Sequence, residues 1–196
     1  RPLQALLALI VALGLQIAVN YSNDYSDGIR GTDDVRVGPI RLTASGLASA
    51  KAVKRAAFIS FAVACVAGLA LAATSSWWIL IVGFISVLAA WGYTGGHAPY
   101  GYLGFGELSV FTFFGVVATV GTYYVQTLEF SAAAFAASVS MGSLSCALLA
   151  INNIRDRAQD AQVGKKTLAV RLGDENARRF FIALLALPYI FAPLTG

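Results

Sequence analysis

The stretch Asn20-Tyr21-Ser22-Asn23-Asp24-Tyr25-Ser26-Asp27-Gly28-Ile29-Arg30-Gly31-Thr32-Asp33-Asp34 follows directly on an apolar run from Leu3 to Val19 that Gln16 alone interrupts. Carboxylates at Asp24, Asp27, Asp33 and Asp34, with the amides of Asn20 and Asn23, are unsuited to lipid. They fit a cation and polyanion site held at a membrane boundary. If the helix continues past Asn20, then Asn20, Asn23, Asp24 and Asp27 recur at i, i+3, i+4 and i+7 and share one face. Oxygen donors grouped this way suit Mg²⁺, which takes few protein ligands and completes its shell with water and phosphate oxygens. The duller reading is a solvated helix end. Acids there oppose the helix macrodipole, so some other interaction must account for them.

Composition sets the class. Hydrophobic residues make up 58% of the chain and charged residues 12%, which is a membrane profile rather than that of a soluble domain. No nucleic-acid partner is expected. Cys65 and Cys146 both sit inside apolar runs and read as buried thiols rather than a disulfide, and a lone His97 builds no metal site. The chain opens at Arg1 without Met and reads as one transmembrane domain over residues 1–196, incomplete at both ends. Arg1-Pro2 and the run behind it lack the cleavage signal of a secretory leader, so that run is expected to be a true span.

Six stretches are long and apolar enough, or nearly so, to cross a hydrocarbon core: Leu3–Asn20, Ala56–Ala73, Trp77–Tyr93, Leu108–Val125, Phe130–Ile151 and Phe180–Leu194. The connections Thr74–Ser76 and Gln126–Glu129 are tight and nearly uncharged, whereas Tyr21–Arg55, Thr94–Glu107 and Asn152–Arg179 are long, polar and rich in Gly. Lys and Arg total 14, and all save Arg1 lie in the first and third of these long connections. An even number of spans separates them, so they share a side, and the positive-inside rule makes it cytoplasmic. Every acid save Glu129 falls on that side as well. Trp77, Trp78, Trp91, Tyr93, Tyr123 and Tyr124 stand at span ends, as an interfacial belt would.

The fifth span runs into Asn152-Asn153-Ile154-Arg155-Asp156-Arg157-Ala158-Gln159-Asp160. Asp156 and Asp160 are one helical turn apart, with Asn153 a turn before Asp156. An apolar span ending in Asn and Asp thus occurs twice, each time followed by basic residues. Two acid clusters on one membrane face repel unless divalent cations intervene. Interleaved Arg and Lys supply the other half of a diphosphate site. Lys165-Lys166 and Arg178-Arg179 also fit plain positive-inside charge, and Gly164 and Gly173 plain helix ends.

These residues resemble the UbiA superfamily of intramembrane aromatic prenyltransferases. The resemblance is carried by Asn23-Asp24-x-x-Asp27 and Asp156-x-x-x-Asp160. Three stretches are similar to the branch that prenylates 1,4-dihydroxy-2-naphthoate for menaquinone: Asn23–Asp33, Pro99-Tyr100-Gly101-Tyr102 with Gly106-Glu107-Leu108, and Asn152–Gly173. The resemblance implies an all-α bundle of nine transmembrane helices around a central cavity, of which this chain holds roughly the second to the seventh. It implies a bacterial-type plasma membrane with the site facing the cytoplasm, and a polyprenyl diphosphate donor whose tail lies against membrane lipid. Two Mg²⁺ ions would be held by Asn23, Asp24, Asp27, Asp33, Asn153, Asp156 and Asp160, with the aspartates 24, 27, 156 and 160 catalytic. Asn20, Arg155, Lys165 and Lys166 would meet the donor, Tyr93, Tyr100 and Tyr102 the reacting carbons, and Arg30 and Arg36 the acceptor carboxylate. The superfamily pattern has a further Asp where this chain has Gly31, with Asp33 or Asp34 standing in for it. It also tends to have a basic residue where His97-Ala98 precedes Pro99.

Other acceptors, such as 4-hydroxybenzoate or homogentisate, share the donor chemistry. A transporter also carries acids within spans, but near the midplane with counter-ions. A CDP-alcohol phosphotransferase has a dense Asp-Gly-x-x-Ala-Arg signature that is missing here, and a soluble prenyl-chain synthase has no lipid-compatible spans.

Overall fold

The computed structural model describes residues 1–32, 38–96 and 98–195, which are helical with no strand among them. The helices are α1 (Pro2–Arg30), α2 (Ala50–Thr74), α3 (Ile79–Gly92), α4 (Gly106–Val110), α5 (Ala118–Thr127), α6 (Ala132–Gln162) and α7 (Leu168–Phe191). A π-helical turn, Phe111–Val117, joins α4 to α5, so that 106–127 form one apolar rod. Five of these rods are long and apolar enough to cross a membrane, and α3, at 14 residues, is a shorter apolar helix. The six expected spans are therefore all helices. Two of them run well past their apolar stretches: α1 continues to Arg30 and α6 to Gln162. Much of what reads as polar connection is thus helix that has outlasted its hydrophobicity. Beyond α6 only Val163–Thr167 separate it from α7.

The chain forms two compact units, Pro2–Gly101 and Tyr102–Gly196, with Arg1 grouped with the second. In the first, α1 packs along α2 through small residues. Gly14 and Ala18 are buried, and a Cβ on Gly14 would lie 3.0 Å from that of Ala64. Val53, Ala57, Phe61, Ala64, Ala67 and Leu71 form the buried stripe of α2. The large side chains face outward: Leu3, Leu6, Leu9, Leu13 and Ile17 of α1 are all exposed. This inverts the soluble pattern. Lipid is as apolar as leucine, so close backbone approach, not hydrophobic exclusion, selects the interface.

The second unit is built on α6, whose inner face is Ala134, Ser138, Gly142, Ser143, Cys146, Ala147 and Ala150. α7 packs along it, contributing Leu184 and the half-buried Phe180, Phe181 and Leu187. Gly164, at φ 79°, ends α6 as expected, and Gly173, at φ 76° and ψ 173°, leaves helical geometry and divides α7 into two helical segments across a kink. The π-helical turn crosses α6 at Gly115, where an added Cβ would stand 2.6 Å from the Gly142 Cα.

That crossing yields a test. Gly115→Ala must push two backbones apart, at a cost of about 1–3 kcal/mol for overpacking, and is expected to lower the melting temperature in detergent. Gly121→Ala, with nothing within 4 Å of the new Cβ, is expected to melt at or above the parent value. Equal melting of the two variants would contradict the close crossing.

Candidate functional site

The two Asn/Asp motifs lie in different units and are taken in turn. In the first, α1 continues without a break through Asn20, Asn23, Asp24 and Asp27, so the shared face is real. Asp24 and Asp27 are both buried, and each oxygen of Asp24 accepts one backbone amide. Its Oδ2 accepts from the Leu42 amide and its Oδ1 from the Thr43 amide, each at 2.8 Å. The turn so anchored sits tight on the helix: a Cβ on Gly28 would come within 2.5 Å of the Thr43 side chain. Each Asp24 oxygen keeps a lone pair beyond the one its amide occupies. Lys54 lies over the Tyr25 ring, 5.2 Å from its centroid, and brings a cation to the same region.

The segment after α3 is tied to the same helix. Thr94 Oγ1 donates to Asn23 Oδ1 at 2.6 Å. Arg30 donates to the Thr94 carbonyl at 2.6 Å and to the Gly96 carbonyl, so the residue expected to meet an acceptor carboxylate is spent at least in part on a loop. Tyr93 and Tyr100 meet edge to face at 5.6 Å, and Tyr100 donates its hydroxyl proton to the Ala89 carbonyl at 2.8 Å. Asn20, by contrast, is exposed and turns back to the Gln16 carbonyl. Gly31 ends α1 at φ 68°, with the Thr32 amide donating to Asp27 O at 3.1 Å. A left-handed backbone of this kind favours the Gly found at this position. Asp33, Asp34, Arg36 and His97 lie outside the described residues.

In the second unit, Asn153, Asp156 and Asp160 are spaced by helical turns on the continuous α6. Arg155 grips the adjacent Asp156 with two hydrogen bonds, of 2.6 and 2.7 Å. The Lys165 amide caps the Asp160 carbonyl at 2.8 Å, and the Lys166 amide donates to Tyr102 O at 2.8 Å. Lys165 Nζ stands 4.8 Å over the Tyr102 ring, so Tyr102, Lys165 and Lys166 form one local group. Asn153 Nδ2 donates to Glu107 Oε1 at 2.9 Å. Further along α7, Asp174 pairs with Arg178 and Arg157, and Glu175 with Arg179, all at the exposed surface.

The donor set fits Mg²⁺ in kind, being carboxylate and carboxamide oxygen throughout. Among the described residues no three His, Cys, Asp or Glu side chains converge on one position. Each motif offers two carboxylates, which suits a cation that draws the rest of its shell from water and phosphate. Sequence reasoning missed Thr94 and Glu107 as partners of the two motif asparagines. Glu107 carried a signal, a carboxylate at the head of an apolar span, but its partner is 46 residues away.

The sequence model of the UbiA prenyltransferase family matches residues 1–196. The chain is 55% identical over 183 residues to the 1,4-dihydroxy-2-naphthoate octaprenyltransferase of Mycobacterium tuberculosis, covering 93% of this chain and 63% of that protein. It is 53% identical to the protein of the same name from Mycobacterium leprae, over 93% of this chain and 62% of the relative. With the protein of the same name from Escherichia coli the identity is 43%, over 94% and 62%. The chain thus spans less than two thirds of the length of these relatives. No solved structure matches it.

The Asp24 geometry predicts a local effect. Asp24→Ala leaves two backbone amides without acceptors, each worth about 1–3 kcal/mol when buried, and the turn after Arg41 should loosen. Limited trypsin digestion of the purified protein is expected to cut after Arg41 several-fold faster than in the parent. Asp24→Asn, which keeps one acceptor oxygen, should fall between; parent-like cutting in Asp24→Ala would show that the turn does not depend on the carboxylate.

Proposed function

We propose, from the premise that this chain belongs to the UbiA prenyltransferase family, that it is part of an integral membrane prenyltransferase. The reaction moves a polyprenyl group from its diphosphate to 1,4-dihydroxy-2-naphthoate, in menaquinone synthesis. The observation that carries this reading is the pair of Asn/Asp motifs, each on a membrane-length helix that outruns its apolar stretch and each beside basic residues. The names of the relatives support the naphthoate acceptor.

Asn23, Asp24, Asp27 and Asp33 would hold one Mg²⁺, and Asn153, Asp156 and Asp160 a second. Ions held by these residues would supply Lewis-acid neutralisation of the diphosphate charge. The chain's own cations complete that neutralisation: Lys165, over the Tyr102 ring, Lys166, whose amide is bonded to the Tyr102 carbonyl, and Arg155, already paired with Asp156, orient the phosphate oxygens. As the allylic C–O bond breaks, the rings of Tyr93, Tyr100 and Tyr102 offer electron-rich, water-poor walls to the developing carbocation. A new bond then joins the allylic carbon to the acceptor ring, and the acceptor carboxylate leaves as CO₂. The prenyl tail lies along lipid-facing helix surfaces, which is the physical reason to carry out this chemistry inside a bilayer.

Full-length protein in membranes, supplied with Mg²⁺ and labelled prenyl diphosphate, is expected to prenylate dihydroxynaphthoate with release of CO₂ and to leave 4-hydroxybenzoate untouched. It should accept several tail lengths, because burial is read at about 0.8 kcal/mol per CH₂ without a sharp cut-off. Asp156→Ala should abolish turnover. Prenylation of hydroxybenzoate with its carboxylate retained would move the protein to another branch, and solute flux without consumption of the diphosphate would make it a carrier.

The same reading fixes a topology. Cysteines placed at Ser45 and Gln162, both exposed, should react with a membrane-impermeant maleimide only from the cytoplasmic side. Labelling of one from each side would break the proposal that both motifs face the cytoplasm.

A further inference from the structure

We propose that Glu107 is a positioning residue for the second motif, one that sets the amide of Asn153 so that its carbonyl oxygen is presented as a donor. This rests on the prenyltransferase reading above, in which Asn153 belongs to the cation site.

Glu107 is buried in the first turn of α4, where a carboxylate needs a reason to be. α6 holds it twice. The Cys146 thiol donates to the Glu107 backbone carbonyl at 3.0 Å, and Asn153 Nδ2 donates to Oε1 at 2.9 Å. Cys146 and Asn153 are two helical turns apart on one face of α6, with the buried Ala150 between them allowing the approach. The other oxygen, Oε2, is buried with no hydrogen-bond partner among the described residues. Glu107 therefore spends its side chain on Asn153.

A carboxamide is planar, with oxygen and nitrogen on opposite edges. With Nδ2 committed to Glu107, Oδ1 is directed away from it, and Asn153 shares a helix face with Asp156 one turn on. Left without an acceptor, the amide turns about its last bond and offers nitrogen as readily as oxygen, and nitrogen of a carboxamide is no ligand for a hard cation. Holding a ligand by its far end is how outer-shell partners raise metal affinity.

The test uses full-length protein in lipid nanodiscs with a non-cleavable prenyl thiolodiphosphate. Mn²⁺ serves as the metal probe, its free fraction read by electron paramagnetic resonance, and thermal melting is recorded for every variant. Glu107→Gln keeps an acceptor at the same reach without the charge and should bind Mn²⁺ close to the parent. Glu107→Asp keeps the charge but withdraws the acceptor by one carbon, and it should lose affinity about 10- to 100-fold, as should Glu107→Leu. Cys146→Ala, which removes only the backbone contact, should change melting without changing Mn²⁺ affinity.

Loss in Glu107→Gln with retention in Glu107→Asp makes the charge itself the active feature and overturns the proposal. So does parent-like affinity in both Glu107→Asp and Glu107→Leu while Asp156→Ala loses it, an outcome that leaves the prenyltransferase reading intact. Absence of Mn²⁺ binding by the parent, or parent-like binding in Asp156→Ala, removes the metal site and the proposal with it.

Discussion

The first unit depends on a buried carboxylate that takes two backbone amides. Asp24 ends the freedom of a turn otherwise separated from α1 by more than a helical turn's worth of polar chain, and it does so from the middle of the acidic motif. Remove it and the Leu42 and Thr43 amides face a low-dielectric boundary unpaired. The neighbouring residues repeat the arrangement: Asn23 holds Thr94, and Arg30 holds the carbonyls around it. The polar end of α1 is thus a hub on which two loops are hung. The groups read as chemistry are also the groups that fix the loops around it.

This double duty separates what was legible in the sequence from what was not. Periodicity and hydropathy located every apolar helix, and i, i+3, i+4 spacing placed Asn23, Asp24 and Asp27 on one face before any coordinates. Both depend on local backbone geometry. The partners of those residues depend on loops that return from far along the chain, and Leu42, Thr43, Thr94 and Glu107 carry no periodic mark. The apolar spans end before their helices do, for a physical reason. Hydropathy reports where lipid ends, whereas the backbone of α1 and α6 stays helical past that point because nothing in Tyr21–Arg30 or Asn152–Gln162 breaks it. The stop signal in each case is a glycine at positive φ, Gly31 and Gly164.

Within each unit the packing follows from a solvent that does not discriminate against large apolar side chains. Gly14, Ala18, Gly115, Gly142 and Ala150 are inside, and many leucines and isoleucines, such as Leu3, Leu6, Leu9, Leu13 and Ile17, are outside. The π-helical turn at Phe111–Val117 belongs to the same logic, since it lies where the 106–127 rod crosses α6 glycine to glycine. It directly follows the turn that carries Glu107, so the glycine crossing and the buried carboxylate are parts of one contact with α6. Substitutions that thicken that contact act on the position of Glu107 as well as on stability.

The shortness of α3 has a consequence for the bilayer itself. Its 14 residues rise about 21 Å at 1.5 Å each, against a hydrocarbon thickness of about 30 Å. A helix that short is accommodated by local thinning and by amphipathic rings drawn inward at its ends, and Trp77, Trp78, Trp91 and Tyr93 stand at those ends. The end of α3 leads directly into the Thr94–Gly96 loop, the loop that Asn23 and Arg30 hold. Polar groups at that end of α3 thus have less hydrocarbon to clear than those at the ends of the longer helices.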